Sequence, residues 1–150
     1  MTEVLFYHLQ RQPLEAVLPT LVEKSVERGW RVAIEVPGAE RLAALDDHLW
    51  TYREDGFLPH CTDQEPDCAH EPVLLTTGGA NLNAADIRFL VDGAAVGDDA
   101  AQYQRIVLLF DGTDDAALAR AREEWRKVRA MGLDATYWQQ DDNGRWSKKG

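Results

Sequence analysis

Arg122, Arg126 and Arg129 stand at i, i+4 and i+7 with Trp125 among them, a spacing that puts the four side chains on one flank of a helix. Each guanidinium presents a planar fork of donors that matches a carboxylate, and an indole beside three forks adds apolar contact. The chemistry this suggests is recognition: an acidic peptide ending in a hydrophobic residue, its carboxylates on the rim and its side chain in an apolar recess. A solvated helix face accounts for the same residues, because Glu123–Lys127 and Arg122–Arg126 are ordinary helical composition.

His60, Cys61, Cys68 and His70 are the other chemically able group. They are the right donor types for zinc, but the paired CxxC spacing of a knuckle is absent, and no metal and no cofactor are expected. A catalytic Cys61 with His60 as base is also disfavoured, because adjacent residues on an extended chain point apart and no third orienting group is in view. Neither GxxxxGK[ST] nor GxGxxG occurs, and Gly78-Gly79 alone is a weak phosphate signal.

Charge narrows the field further. The 150-residue chain carries 26 acidic and 16 basic residues, a formal net charge of −10, so its overall field repels a phosphate backbone and no direct nucleic-acid binding is expected. Residues 1–117 hold 8 Lys/Arg against 21 Asp/Glu, whereas residues 118–150 hold 8 against 5, and five of those eight fall between Arg120 and Arg129. The basic stripe is therefore the local exception in an acidic chain. No run of about 18 apolar residues offers a membrane span, and the N-terminus lacks a signal-peptide pattern. A cytoplasmic protein with reduced cysteines is the expectation.

The elements that must position the stripe follow from periodicity. Val4 to Leu9 reads as a buried strand, Leu14 to Val26 as a helix closed by Gly29, Trp30 to Val36 as a strand, and Ala39 to Trp50 as a second helix. Thr51 to Pro72 has no period and is longer than compact loops usually are. Val73 to Thr76, Ile87 to Val91 and Ile106 to Phe110 read as strands, Asp115 to Met131 as a helix closed by Gly132, and Ala135 to Gln139 as a last edge strand. Placed at helical spacing, Met131, Ala117, Val128, Ala121, Trp125 and Leu118 form the core arc, and the three arginines lie in a stripe beside Leu118 and Trp125. The alternation predicts a single three-layer α/β domain over residues 1–140 with a mostly parallel sheet, Rossmann-like without a phosphate-binding loop, followed by a loose polar tail at 141–150.

The opening FYHL, the helix RLAALDDHLW, the stretch LWTYREDGFLPH from Leu49 to His60 and the later NLNAADIRFLVDG, in this order, resemble the chi subunit of bacterial DNA polymerase III. The resemblance runs from the first strand to Gly132. It implies a non-catalytic adaptor in the clamp-loader assembly that binds the acidic, phenylalanine-ended C-terminal tail of single-stranded DNA-binding protein through basic residues of the last long helix. The matching positions are Arg122, Arg126 and Arg129, with Trp125 in place of the family's aromatic. Leu118 departs from the pattern, which has a basic residue there. A second surface, matched by Trp50 and Phe57, implies contact with the psi subunit or a helicase-like alternative partner, although Trp50 also reads as a core residue at a helix end. Two other readings stay open: a nucleotide-dependent α/β enzyme, from the alternation alone, and a direct single-stranded DNA-binding module, from basic and aromatic residues near the C-terminus.

Overall fold

The computed structural model describes residues 2–10, 12–51, 60–65, 67–78, 80–140 and 145–149. Eight strands form one sheet: β1 (Glu3–Leu9), β2 (Val32–Glu35), β3 (Cys61–Thr62), β4 (Val73–Thr76), β5 (Ile87–Leu90), β6 (Arg105–Asp111), β7 (Asp134–Gln140) and β8 (Trp146–Lys148). Their spatial order is β3-β4-β2-β5-β6-β1-β7-β8. Every pair is parallel except β7 with β8. Helices α1 (Leu14–Glu27), α2 (Ala39–Thr51) and α3 (Asp115–Ala130) provide the crossovers, as parallel neighbours require.

Strand alternation divides the core in two. Leu5, Leu9, Val32, Ile34, Val107 and Leu109 face α1 and α2, meeting Leu18, Val22, Leu42, Leu45 and Leu49. Val4, Phe6, Ala33, Ile106, Leu108 and Phe110 face the other way, meeting Ala121 and Val128 of α3 and the loop residues Ala94, Val96 and Ala100. The sheet is thus the middle of three layers, as the strand and helix pattern predicts. Arg88 is the exception on β5: buried at 4% exposure, it is held by Glu35 at 2.6 Å, Tyr103 Oη at 2.9 Å and the Gly78 carbonyl at 2.6 Å.

Both long crossovers end in the same device. Gly29 (φ +84°) and Gly132 (φ +78°) follow the C-caps of α1 and α3. The Trp30 and Leu133 amides reach back to Ser25 O at 3.1 Å and Val128 O at 3.3 Å, and Gly29 and Gly132 bond Val26 O and Arg129 O. These are Schellman closures, and only a residue at ease with positive φ turns the chain there. At its other end α3 is capped by Asp114, whose carboxylate accepts from the Ala116 amide at 2.9 Å.

Two expectations need correction. The long stretch after Thr51 is not free of regular structure, because Cys61–Thr62 pairs with β4 as an edge strand. The residues after Asp141 are not all a loose tail, and β7 is not an edge: Trp146–Lys148 pairs with β7, and the Lys149 amide donates to Tyr137 O at 2.7 Å. The reason is packing, since Trp146 stacks on Tyr7 (centroids 4.7 Å, 29°) and joins the α1-side core.

Trp146→Ala is therefore expected to lower the unfolding free energy by roughly 1–3 kcal/mol, as for a partly buried aromatic. Urea titration followed by circular dichroism checks this, and an unchanged midpoint would make β8 dispensable.

Candidate functional site

The outer face of α3 is set by what its inner face must fill. Ala117, Ala121 and Val128 are buried against the sheet, and their small side chains bring the helix close. Trp125 lies at the margin of this contact. Its indole meets Phe6 edge-on at 5.2 Å and Tyr137 at 6.2 Å, while part of it stays exposed. Leu118, Met131 and Leu133 are also partly buried against the same core cluster. An apolar margin that is part buried and part exposed results.

The arginines stand on the same helix as this margin. Arg122, Arg126 and Arg129 are all exposed, and the Arg129 guanidinium sits 6.0 Å from the Trp125 ring centroid. Arg126 pairs with Glu123, one turn away. Such an exposed i,i+3 pair is worth only a few tenths of a kcal/mol and yields readily to a better carboxylate. Lys127 pairs with Glu124 at 3.3 Å, on the side where Glu124 also accepts the Val96 amide at 2.7 Å. The core arc and the basic stripe read from the sequence thus coincide with the helix as folded.

The structure adds two residues that sequence reasoning missed, Tyr137 and His8. Tyr137 meets Trp125 from β7, and its Oη is 2.5 Å from His8 Nδ1. Burial raises the Tyr137 hydroxyl above its ordinary pKa, and the charge of Arg122 works against that rise. Burial also lowers His8 below its ordinary value, with Asp111 opposing. His8 Nδ1 and the Tyr137 hydroxyl share one hydrogen bond. The signal for Tyr137 was strand alternation: Ala135 and Tyr137 share one face of β7, whereas Trp138 goes to the other core. The loop at Gly112 runs against the His8 ring so tightly that an added Cβ would lie 1.8 Å from Nε2.

Trp50 lies elsewhere, at the C-terminal end of α2, and is 46% exposed, so it is not the core residue that a helix-end tryptophan suggests. Its ring lies against His60, with centroids 4.1 Å apart. Phe57 lies outside the described residues. The structure therefore does not bring Trp50 to the α3 stripe: α2 contacts β3 and β4, whereas α3 contacts β6, β1 and β7.

The polar atoms of His60 and Cys61 turn to different neighbours. His60 Nε2 is 2.9 Å from Asp46 Oδ1, and Cys61 Sγ points at the Cys68 carbonyl at 3.6 Å. Burial, with Cys68 and nearby acids, pushes the Cys61 thiol up to about 12, far from a nucleophilic thiolate. Among the described residues no three His, Cys, Asp or Glu side chains gather as a metal ion would require, His70 and Cys68 included.

A cavity of about 500 Å³ opens at the C-terminal ends of β5, β6 and β1, where β1 and β6 send their crossovers to opposite faces. That is where open α/β sheets take nucleotides. Here Glu15, Asp92, Asp111, Asp114 and Glu124 line it against Arg41 and Arg120. Arg41 is engaged by Glu15 and Asp92. Burial alone would raise the Glu15 carboxyl, but the hydrogen bond and charge of Arg41 outweigh it and hold the group below its ordinary value. An acid-lined crevice whose Arg41 is already engaged is a poor seat for a polyphosphate.

Residues 1–136 match the family described as DNA polymerase III chi subunit, HolC. The chain is similar to DNA polymerase III subunit chi of Pseudomonas aeruginosa, 28% identical over 136 residues that cover 88% of this chain and 92% of that protein. It is also similar to the probable DNA polymerase III subunit chi of Rickettsia prowazekii, 24% identical over 91 residues. That match covers 61% of this chain and spans only about half, 55%, of the Rickettsia protein.

The partial burial of His8 gives stability a pH dependence of definite sign. Because His8 is held below its ordinary value in the fold, the unfolded chain takes up its proton first as pH falls below about 6.5, and stability declines there. Urea titrations at about pH 7.5 and about pH 5.5 should show a smaller unfolding free energy at the lower pH, with part of the difference abolished in His8→Gln. An identical difference in wild type and variant would remove His8 from the explanation.

Proposed function

The chain belongs to the DNA polymerase III chi subunit family, and from that premise we propose that it is a non-catalytic accessory subunit linking single-stranded DNA-binding protein to the replicase. Its first handle is the α3 face. Arg122, Arg126 and Arg129 take the carboxylates of that protein's acidic C-terminal tail, and the apolar margin at Trp125 takes the terminal aromatic side chain. The second handle, at Trp50 and Phe57, takes the psi subunit or another clamp-loader or helicase-like protein. Catalysis has no part in this reading, and the assembly works in the cytoplasm. No helix of the described residues is long and apolar enough to cross a membrane.

The observation that carries this reading is the exposed basic stripe bordering a half-buried indole in a chain whose net charge is −10. Complementarity explains both the partner and the strength. Two charge-assisted hydrogen bonds contribute about 1.5–3 kcal/mol each and a buried anchor about 2–3, and the cost of ordering a flexible tail leaves an affinity near or weaker than micromolar. Leu118, which interrupts the basic pattern of the family one turn earlier, enlarges the apolar margin and removes one cation from the rim. Tyr137 adds a second aromatic ring beside Trp125, within the influence of the charge of Arg122.

A synthetic tail peptide ending in phenylalanine is expected to bind with an affinity that falls as salt rises, because exposed pairs are screened beyond about 10 Å at 0.1 M. Arg122→Ala with Arg126→Ala should weaken it about tenfold or more, and removal of the terminal phenylalanine should do the same. Fluorescence anisotropy measures both, and equal binding by the double variant would refute the site.

A further inference from the structure

Trp50 is one of the two most exposed large apolar side chains among the described residues, and its position is built rather than incidental. The imidazole of His60 lies against the indole, with 4.1 Å between centroids and 37° between planes. The His60 side chain is fully buried. Its Nε2 is 2.9 Å from Asp46 Oδ1 and 3.3 Å from the Asp46 carbonyl oxygen. Asp46 precedes Trp50 by one helical turn on α2, so the carboxylate and the indole project from the same side of the helix. A buried imidazole fixed by Asp46 thus backs a tryptophan that keeps 46% of its surface toward solvent. An aromatic held in one orientation offers a large apolar contact at little entropic cost to a partner.

The surroundings of this plate have the opposite charge to the α3 stripe. Among the described residues, Asp46 and Asp47 lie in the last turns of α2, and Asp63, Glu65, Asp67 and Glu71 lie in the connection between β3 and β4, the strands that α2 contacts. Asp47, exposed beside Trp50 on α2, belongs to that set. The Cys61 thiol responds to the same surroundings, since Glu65, Glu71 and Asp46 all raise it. Any segment that covers Trp50 therefore enters a negative field, which repels an acidic peptide and attracts a basic one.

We propose that the Trp50 face is a docking site for a basic segment bearing an apolar anchor, with Asp46 and His60 as the positioning residues that present the indole. This rests on the reading of Trp50 as a second partner surface and names the chemistry of that partner. The two handles then differ in sign: α3 selects an acidic peptide and α2 a basic one. Each rejects the other's ligand, because like charges opposed across an interface are costly. A single chain can hold two partners without their exchanging places.

The full chain labelled with 5-fluorotryptophan tests this by fluorine NMR, with each of its five tryptophans assigned by Trp→Phe substitution. Two synthetic probes are used: a short peptide of lysines around a central phenylalanine, and the same peptide with every lysine replaced by glutamate and phenylalanine at its C-terminus. The lysine peptide is expected to shift the Trp50 signal at low salt, leaving Trp30, Trp138 and Trp146 in place. Asp47→Lys should weaken that response about threefold or more. His60→Ala should move the Trp50 signal toward that of a free indole without any peptide, and His60→Gln should recover part of the wild-type shift. Because His60 is buried and its variants can fail to fold, the exposed Asp47→Lys exchange carries the test alone if needed. The proposal is overturned if the glutamate peptide moves Trp50 equally, if neither peptide moves it, if the lysine peptide moves all five signals alike, or if Asp47→Lys leaves the response unchanged. The glutamate peptide reports separately on the α3 site through Trp125, so failure there leaves the Trp50 result intact.

Discussion

The structure depends on the insertion of β1 between β6 and β7, two strands that come from the far end of the chain. Seven register pairs join β1 to β6 and six join it to β7, all parallel. Parallel neighbours cannot be joined by a tight turn, so the chain must cross over the sheet between them, and both faces of β1 become buried. α1 covers one face and α3 the other. Every feature of the candidate tail site descends from this constraint: α3 lies where it does because β7 must return beside β1.

That placement also decides how the helix divides its surface. The side toward the sheet is limited to Ala117, Ala121 and Val128, which let the backbone approach closely, and Trp125 fills the widening gap over Phe6 and Tyr137. The Schellman closure at Gly132 then sends the chain directly into β7, which carries Tyr137 under the indole. Charge remains for the solvent side, where the arginines have no packing duty. Binding chemistry is thus concentrated on the face that the fold leaves unused, and a mutation there is expected to alter recognition more than stability.

The two proposed handles occupy opposite flanks and opposite faces of the sheet. α2 packs toward β3 and β4, whereas α3 packs over β6, β1 and β7. A partner seated at Trp50 leaves the Arg122 face open. The intervening layer is buried, with Phe89, Ile34 and Phe6 essentially inaccessible, and it separates the two surfaces. The acid-lined crevice at the strand ends is bypassed by both.

The elements and the stripe were legible in residue order alone. Apolar periodicity located β1, α1, α2, β4 and β6, the glycines after α1 and α3 marked their closures, and the helical phase of residues 115–131 placed three arginines beside Trp125. Those properties are local, set by spacing and by the conformational freedom of single residues. What lies across from what depended on how the folded layers meet. No local rule revealed that Trp146 would stack on Tyr7 and bring the expected tail into the sheet, that His60 would pair with Asp46 instead of serving a metal or Cys61, that Arg88 within a strand would find Glu35, or that Tyr137 would bond His8. Each of these joins residues separated by 14 to 139 positions, and such pairings form only once the crossovers have paid the loop-closure entropy that sequence periodicity does not report.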